Sequence, residues 1–288
     1  MLRKLKKVIH HPSLVFRYAK LKFINLFLFK FLYGNKNRYL LNYDNFKVEY
    51  STEDNHSKHY FFPRYTNGVI HEPTVTRELV KNLKQSRVFV DVGTHLGYFT
   101  CLAGKILQNG TVDAFEVEKH AFSLLKKNLE LNQLKNVNVY NVAVTDKNGT
   151  IKIPSRSKPS PFFSIAESGK DTEFIEMDAI ALDDFYTEKD YKPDVLKIDV
   201  EGAEMQVLQG MKSLLETRDL VLFIELHGNV LPNFGSSSKE VINYLIDKGY
   251  MIYEIENPHD PNPSQPHKIA KDTQIDYNTV LYVTKKDI

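Results

Sequence analysis

Tryptophan is absent from the 288 residues, and cysteine occurs once, as Cys101. A lone cysteine excludes an intrachain disulfide framework and a cysteine-rich zinc cluster, so a reducing, cytoplasmic setting is expected. Long apolar runs are also missing. The stretch Phe23–Tyr33 is interrupted by Lys30 and falls short of the roughly 20 residues that a membrane span requires. No small-residue cleavage site follows it, since Gly34 leads into Asn35, Lys36 and Asn37, which argues against a signal peptide. Neither sign of charge dominates: 38 Lys and Arg face 36 Asp and Glu. The average charge gives no reason to expect a nucleic-acid partner.

The distribution of charge says more than its sum. Arg3, Lys4, Lys6, Lys7, Arg17, Lys20, Lys22, Lys30, Lys36 and Arg38 all precede the first acidic residue, Asp44. Interleaved with Leu2, Leu5, Val8, Ile9, Leu14, Val15 and the Phe23–Tyr33 stretch, they describe a helical extension. Two readings stand side by side: residues 1–40 lie on the inner surface of an anionic membrane, or they pack on the domain or on a second subunit. The chain is expected to divide into this basic, aromatic extension over residues 1–60 and one catalytic domain over residues 61–288.

The strongest signal begins at Arg87. Val88, Phe89, Val90 and Val92 make a strand buried on both faces, which halts at Gly93. Gly97 then opens a helix carried by Phe99, Leu102, Ala103, Ile106 and Leu107. A strand, a glycine turn and a helix bring unpaired N–H groups and close-approaching backbone to a ligand. The turn reads Asp91-Val-Gly-Thr-His-Leu-Gly97, without the third glycine of a dinucleotide fingerprint. Asp91 at the strand end would repel a pyrophosphate. It suits a ligand carrying an ammonium and a sulfonium, which points to S-adenosylmethionine.

The second strand, Thr111–Glu116, ends in a carboxylate about 20 residues past the turn, where an acid reaches ribose hydroxyls. Glu116 is assigned that role, leaving Glu118 to cap the helix that begins near Lys119. A helix over His71–Val80, with Pro73 near its start, covers the sheet or lends Glu72 or Thr74 to the ligand. A third strand runs over Val137–Val142 and a short added strand over Thr150–Ile153. Ser155–Lys170, rich in Ser and Pro and carrying Phe162 and Phe163, has no period and is read as a substrate-side or passive surface loop.

The second informative stretch is Pro193–Glu204. Val195, Leu196, Ile198 and Val200 form a buried strand, yet Lys197 and Asp199, two apart, share one of its faces. Ionised groups there must be paired. Lys197 is expected against Glu225. A helix follows through Met205, Val207, Leu208 and Leu214, and a fifth strand, Leu220–His227, buries Glu225 and carries His227 to its tip. In the doubly wound order the first, fourth and fifth strands are neighbours, so Asp91, Asp199 and His227 meet beside the topological switch point. A further helix, a strand at Tyr250–Ile255 and a final strand at Thr279–Val283 complete a Rossmann-like α/β fold. Its sheet has seven, mostly parallel strands and closes in an antiparallel hairpin. Between those strands, His259, Asp260 and His267 lack ligand spacing and are read as part of a solvated loop.

Together these stretches resemble the FkbM-type family of class I methyltransferases, over about Glu72–Gly228. DVGTHLGYF, the acid of AFEVE, LKIDVEGAE and the IELH strand carry the likeness. Two departures are visible: Thr94-His95 stands where the family more often has small residues, and Val117 where it often has proline. The resemblance implies S-adenosylmethionine-dependent O-methylation of a sugar or other hydroxylated acceptor, on a glycan or lipid. It assigns cofactor contacts to Asp91, Gly93, Thr94, His95, Gly97, Tyr98, Phe99, Glu116, Val117 and Asp199. Ala143, with Val144, falls where such folds place the adenine. Glu72, Glu201, Glu225 and His227 are assigned to the acceptor, and Asp199, His227 and Glu201 to catalysis.

In-line methyl transfer needs alignment and a base. Asp199 is better placed by the motif for that role, and His227 is better matched to neutral pH. A divalent metal on Asp199, Glu201 and His227 is the less favoured variant. A nicotinamide oxidoreductase and a non-catalytic scaffold are the competing functional classes.

Overall fold

The computed structural model describes residues 24–25, 27–33, 36–66, 69–154, 174–260 and 265–288. The readings made for residues 1–23, for the Ser155–Lys170 loop and for residues 261–264 lie outside them. No helix among the described residues is long and apolar enough to cross a membrane.

After a helical stretch at residues 24–25 and 27–33, the chain forms a hairpin, β1 (Arg38–Tyr43) and β2 (Phe46–Ser51). A π-helical turn at Ser57–Phe61 and a 3-10 turn at Phe62–Tyr65 lead to α1 (Pro73–Leu83). The central unit then runs β3 (Val88–Val92), α2 (Tyr98–Ile106), β4 (Thr111–Phe115), α3 (Lys119–Leu131) and β5 (Val137–Tyr140). A side sheet follows, made of β6 (Ala143–Val144), β7 (Gly149–Pro154) and β8 (Phe174–Ile180). The remainder is α4 (Leu182–Thr187), β9 (Val195–Ile198), α5 (Glu204–Gln209), α6 (Lys212–Thr217), β10 (Val221–His227), α7 (Ser238–Asp247), β11 (Met251–Ile255), β12 (His267–Ile269) and β13 (Asn278–Thr284).

The central sheet has eight strands in the order β12-β11-β13-β10-β9-β3-β4-β5. Five of them, β10 to β5 in that order, are parallel, and β13, β11 and β12 add antiparallel. The expected neighbours β3, β9 and β10 do lie side by side. The expected count of seven misses β12, a three-residue edge strand whose exposed His267 and Lys268 show no apolar alternation. β13 slots between β10 and β11 and pairs antiparallel with β11, which makes the expected closing antiparallel pair, with β12 inserted between the two in sequence.

Period-two alternation divides the core. Phe89, Val112, Ala114, Val195 and Phe223 face α1 and α2, while Val90, Val92, Leu196, Leu222 and Ile224 face α5, α6 and α7. The β1–β2 hairpin joins the first of these layers through Tyr39, Leu41, Val48 and Tyr50. Two asparagines, one on α3 and one at its C-terminal cap, stitch it down: Asn128 accepts from the Ser51 N–H and donates to the Leu96 carbonyl, and Asn132 pairs with both backbone groups of Glu49. Amide side chains suit this task because each offers a donor and an acceptor to exposed hairpin backbone.

The helix expected from Met205 through Leu214 is broken into α5 and α6. A Cβ on Gly210 would lie 1.9 Å from the Thr145 carbonyl oxygen, so the chain there presses backbone on backbone. Asp183 then caps the second piece by accepting from the Ser213 and Leu214 N–H groups at 2.7 and 2.9 Å. Gly210→Ala is expected to destabilise the fold by about 2 kcal/mol or more through this overlap with Thr145. Urea unfolding with an unchanged m-value and a lowered midpoint is the expected readout.

Candidate functional site

The site grows from the end of β3. Gly93 adopts φ +81°, and a Cβ there would lie 1.8 Å from the Asp199 carbonyl oxygen, so glycine is required on both counts. The N–H groups of Gly93 and Thr94 both reach the Phe115 carbonyl, folding the turn over the end of β4. Gly97, at φ +84°, is the N-cap of α2. It shapes the turn from behind and does not line the cavity.

Glu116 at the tip of β4 accepts from the backbone N–H groups of His95 at 2.7 Å and Glu118 at 2.8 Å. Its carboxylate thereby clamps the glycine turn, with lone pairs remaining for a ligand. Burial raises it to about 7 against these hydrogen bonds. The competing acid, Glu118, caps α3 through the His120 and Ala121 N–H groups, as expected. Asp91 accepts from the Thr100 hydroxyl at 2.5 Å, and burial raises it to about 6. His95, in the left-handed region at φ 52°, is lowered to about 4 by burial and is therefore neutral.

Strand register builds the second half. Asp91 pairs with Lys197, and Lys197 with Phe223, so these side chains leave the same face of the sheet. Two residues further on, Asp199 and Glu225 leave that face as well. The buried Lys197 ammonium contacts Asp199 at 2.9 Å and stands 5.2 Å from the Phe99 ring centre. The ion pair expected between Lys197 and Glu225 is thus formed with Asp199 instead. A lysine stem two positions from an aspartate on one strand reaches it without crossing to a neighbour. Burial opposes charge on both partners, but Asp199 holds Lys197 in its ammonium form and Lys197 draws the Asp199 carboxyl below its usual range. Burial, with Asp199 and Glu72 beside it, pushes Glu225 well above the carboxylate range.

His227 departs from its expected role. It is 1% exposed and does not line the cavity. Its Nδ1 lies 2.7 Å from Glu204, and its Nε2 lies 3.2 Å from Glu201 and 3.7 Å from Glu225. Burial disfavours its charge, yet the Glu204 hydrogen bond and the surrounding carboxylates raise it to about 10. Faced by carboxylates at both ring nitrogens and shut off from the cavity, His227 is placed to orient Glu201 rather than to touch a ligand. Glu201, by contrast, lines the cavity at φ 53°, and burial raises it to about 7.

One cavity joins both halves. Of the assigned residues, Glu72, Asp91, Gly93, Thr94, His95, Tyr98, Phe99, Glu116, Val117, Ala143, Asp199, Glu201 and Glu225 line it. Sequence reasoning missed His56, Phe61, Arg64 and His71, which come from the turns before α1 where no periodicity marks them. It also placed His259 in solvent. That residue is exposed but borders the cavity, its ring 5.7 Å from His71. His267, expected in a solvated loop, is exposed but starts the edge strand β12, its Nε2 3.6 Å from Glu254 and 3.7 Å from Glu256. Glu72, the N-cap of α1 at φ 44°, is buried, and its Oε2 has no hydrogen-bond partner. Burial raises it to about 7.

Ligand atoms of Asp199, Glu201 and His227 lie within 4.8 Å of one another. Lys197 already engages Asp199 at 2.9 Å, so a cation held by this trio would have to share or displace that ammonium.

Hexuronic acid methyltransferase AglP of Haloferax volcanii is 28% identical over 163 residues, 56% of this chain and 64% of that protein. Methyltransferase 1 of Beauveria bassiana is 29% identical over 147 residues, 42% of this chain and 57% of that protein. The chain therefore spans less than two thirds of the length of these curated relatives. Among solved structures, the methyltransferase FkbM of Methylobacillus flagellatus is 18% identical, with a TM-score of 0.45 over 69% of this chain and 43% of that one. The pattern of the methyltransferase FkbM domain matches residues 91–252, from the carboxylate of β3 past both halves of the cavity to β11. The chain belongs to the FkbM methyltransferase family.

Proposed function

We propose that the cavity binds S-adenosyl-L-methionine and that the protein transfers its methyl group to a hydroxyl of a sugar, glycan or glycolipid. The observation that carries the reading is the ring of carboxyl groups around the Gly93 turn, buried Glu72, Asp91 and Glu116 with half-buried Asp199, which outnumber the cations Lys197 and Arg64 at the cavity. Such a cavity favours a ligand of net positive character and disfavours a pyrophosphate. Glu72, with its unpartnered Oε2, and Asp91 suit an ammonium, and Glu116 suits the two ribose hydroxyls. Val117 and Ala143 offer apolar contact for a base. When bound, S-adenosyl-L-methionine supplies a methyl group made electrophilic by its sulfonium. A sugar acceptor is supported by the relative named as a hexuronic acid methyltransferase.

An alcohol must lose its proton as the methyl arrives, so a base has to stand at the cavity wall. Glu201 fits best. Its carboxyl is tuned by burial to about 7, it faces the cavity, and His227 behind it holds it in place. Asp199 is committed to Lys197 and orders the floor of the site.

Titration calorimetry is expected to show S-adenosyl-L-methionine binding at micromolar levels and no heat with NAD. Gly93→Ala should abolish that heat, because the new Cβ meets the Asp199 carbonyl. NAD binding without S-adenosyl-L-methionine binding would return the protein to the oxidoreductase class. Mass-spectrometric comparison of glycans and lipids with and without the enzyme then identifies the acceptor. For Glu201→Gln, turnover should fall about 100-fold or more with cofactor affinity unchanged. The base must be unprotonated to act, so wild-type turnover should rise as pH climbs through about 7, and this limb should vanish in the variant.

A further inference from the structure

The helical stretch at residues 24–25 and 27–33 turns one side to the molecule and leaves the other bare. Phe29 is buried, its ring 5.3 Å from Tyr33 and 6.5 Å from Tyr39. At about 100° per residue, Ile24, Phe27, Leu28, Phe31 and Leu32 fall within one arc of roughly 140° on the other side. Phe27 is 65% exposed and Phe31 79%. A continuous apolar stripe of this kind marks a contact surface.

Charge selects the occupant. Ten Lys and Arg precede the first acid of the chain, and Lys30, Lys36 and Arg38 lie on or just after the helix. A second copy of the chain would set this positive segment against itself. An anionic bilayer meets both needs, apolar depth for the stripe and counter-charge for the lysines.

The helix is also fastened to one wall of the cavity. Tyr39, beside Phe29, stacks on Phe62 at 4.7 Å, and Phe62 meets Phe61 edge-to-face at 4.9 Å. Phe61 lines the cavity, and the Thr66 hydroxyl donates to the Asn25 carbonyl at 3.1 Å. We propose that this helix docks flat on an anionic membrane surface through Phe27 and Phe31, setting the cavity beside the bilayer so that its acceptor is lipid-linked. The acceptor part rests on the methyl-transfer reading above.

The test is co-sedimentation of the full chain with vesicles of phosphatidylcholine and phosphatidylglycerol, and with vesicles of phosphatidylcholine alone. The wild type is expected to pellet with the anionic vesicles. A double variant, F27S with F31S, should partition at least about tenfold more weakly, with its thermal unfolding and S-adenosyl-L-methionine affinity unchanged. The proposal is overturned if the wild type stays in the supernatant with anionic vesicles, or if the variant pellets as well as the wild type. It is equally overturned if analytical ultracentrifugation shows a wild-type dimer that the variant loses. Loss of S-adenosyl-L-methionine binding in calorimetry would sink the methyl-transfer reading alone and leave the docking result standing.

Discussion

The buried Lys197 ammonium is the contact on which the site depends. It sits in the middle of the sheet, where β9 is flanked by β3 and β10, with Asp199 at 2.9 Å and the charges of Glu72, Glu225 and Asp91 also acting on it. A lone charge at such depth is strongly unfavourable, and so is any one of these carboxylates. Together they are tolerable, because one cation serves several acids. The balance is still incomplete. His227 faces Glu204 and Glu201 behind the wall, and burial leaves Glu72, Asp91 and Glu116 raised into the range of about 6 to 7 despite the nearby cations. A site in that condition gains most from a cationic ligand.

Backbone contact fixes the other half. The Gly93 turn and the end of β9 approach until a single methyl would not fit between them, and the Asp199 N–H donates to the Val92 carbonyl at 2.9 Å. Glu116 locks the turn from the opposite side through two N–H groups. The loops that line the cavity are therefore short and held by hydrogen bonds at both ends, as preorganised binding requires. Strain appears where function is proposed: Glu72, His95 and Glu201 all have positive φ without being glycine.

Much of this was legible in the residues. The run Val88–Val92, the glycine spacing and the placement of Asp91 and Glu116 are local patterns with local causes, and each lies where the pattern puts it. Parity on a strand was also readable, which is why Lys197 and Asp199 were expected on one face. Partner choice was not. Whether Lys197 pairs with Glu225 or Asp199 depends on inter-strand distance and rotamer, and neither is written in a spacing. His227 shows the same limit: its place at the strand tip follows from sequence, but its partner is Glu204, 23 residues earlier at the start of α5. The cavity walls from Phe61, Arg64, His71 and His259 come from turns without period.

By itself the sequence determined the α/β class, the order of its parallel core, the glycine turn and the acids at two strand tips. These rest on side-chain period and backbone sterics, which act within a few residues. Tertiary structure decided which charge answers which, that His227 stands behind the wall while Glu201 stands in it, that Gly210 splits a helix, and that β12 adds an edge. Those outcomes depend on burial and on distances between segments far apart in the chain, where electrostatics and packing act and local pattern carries no information.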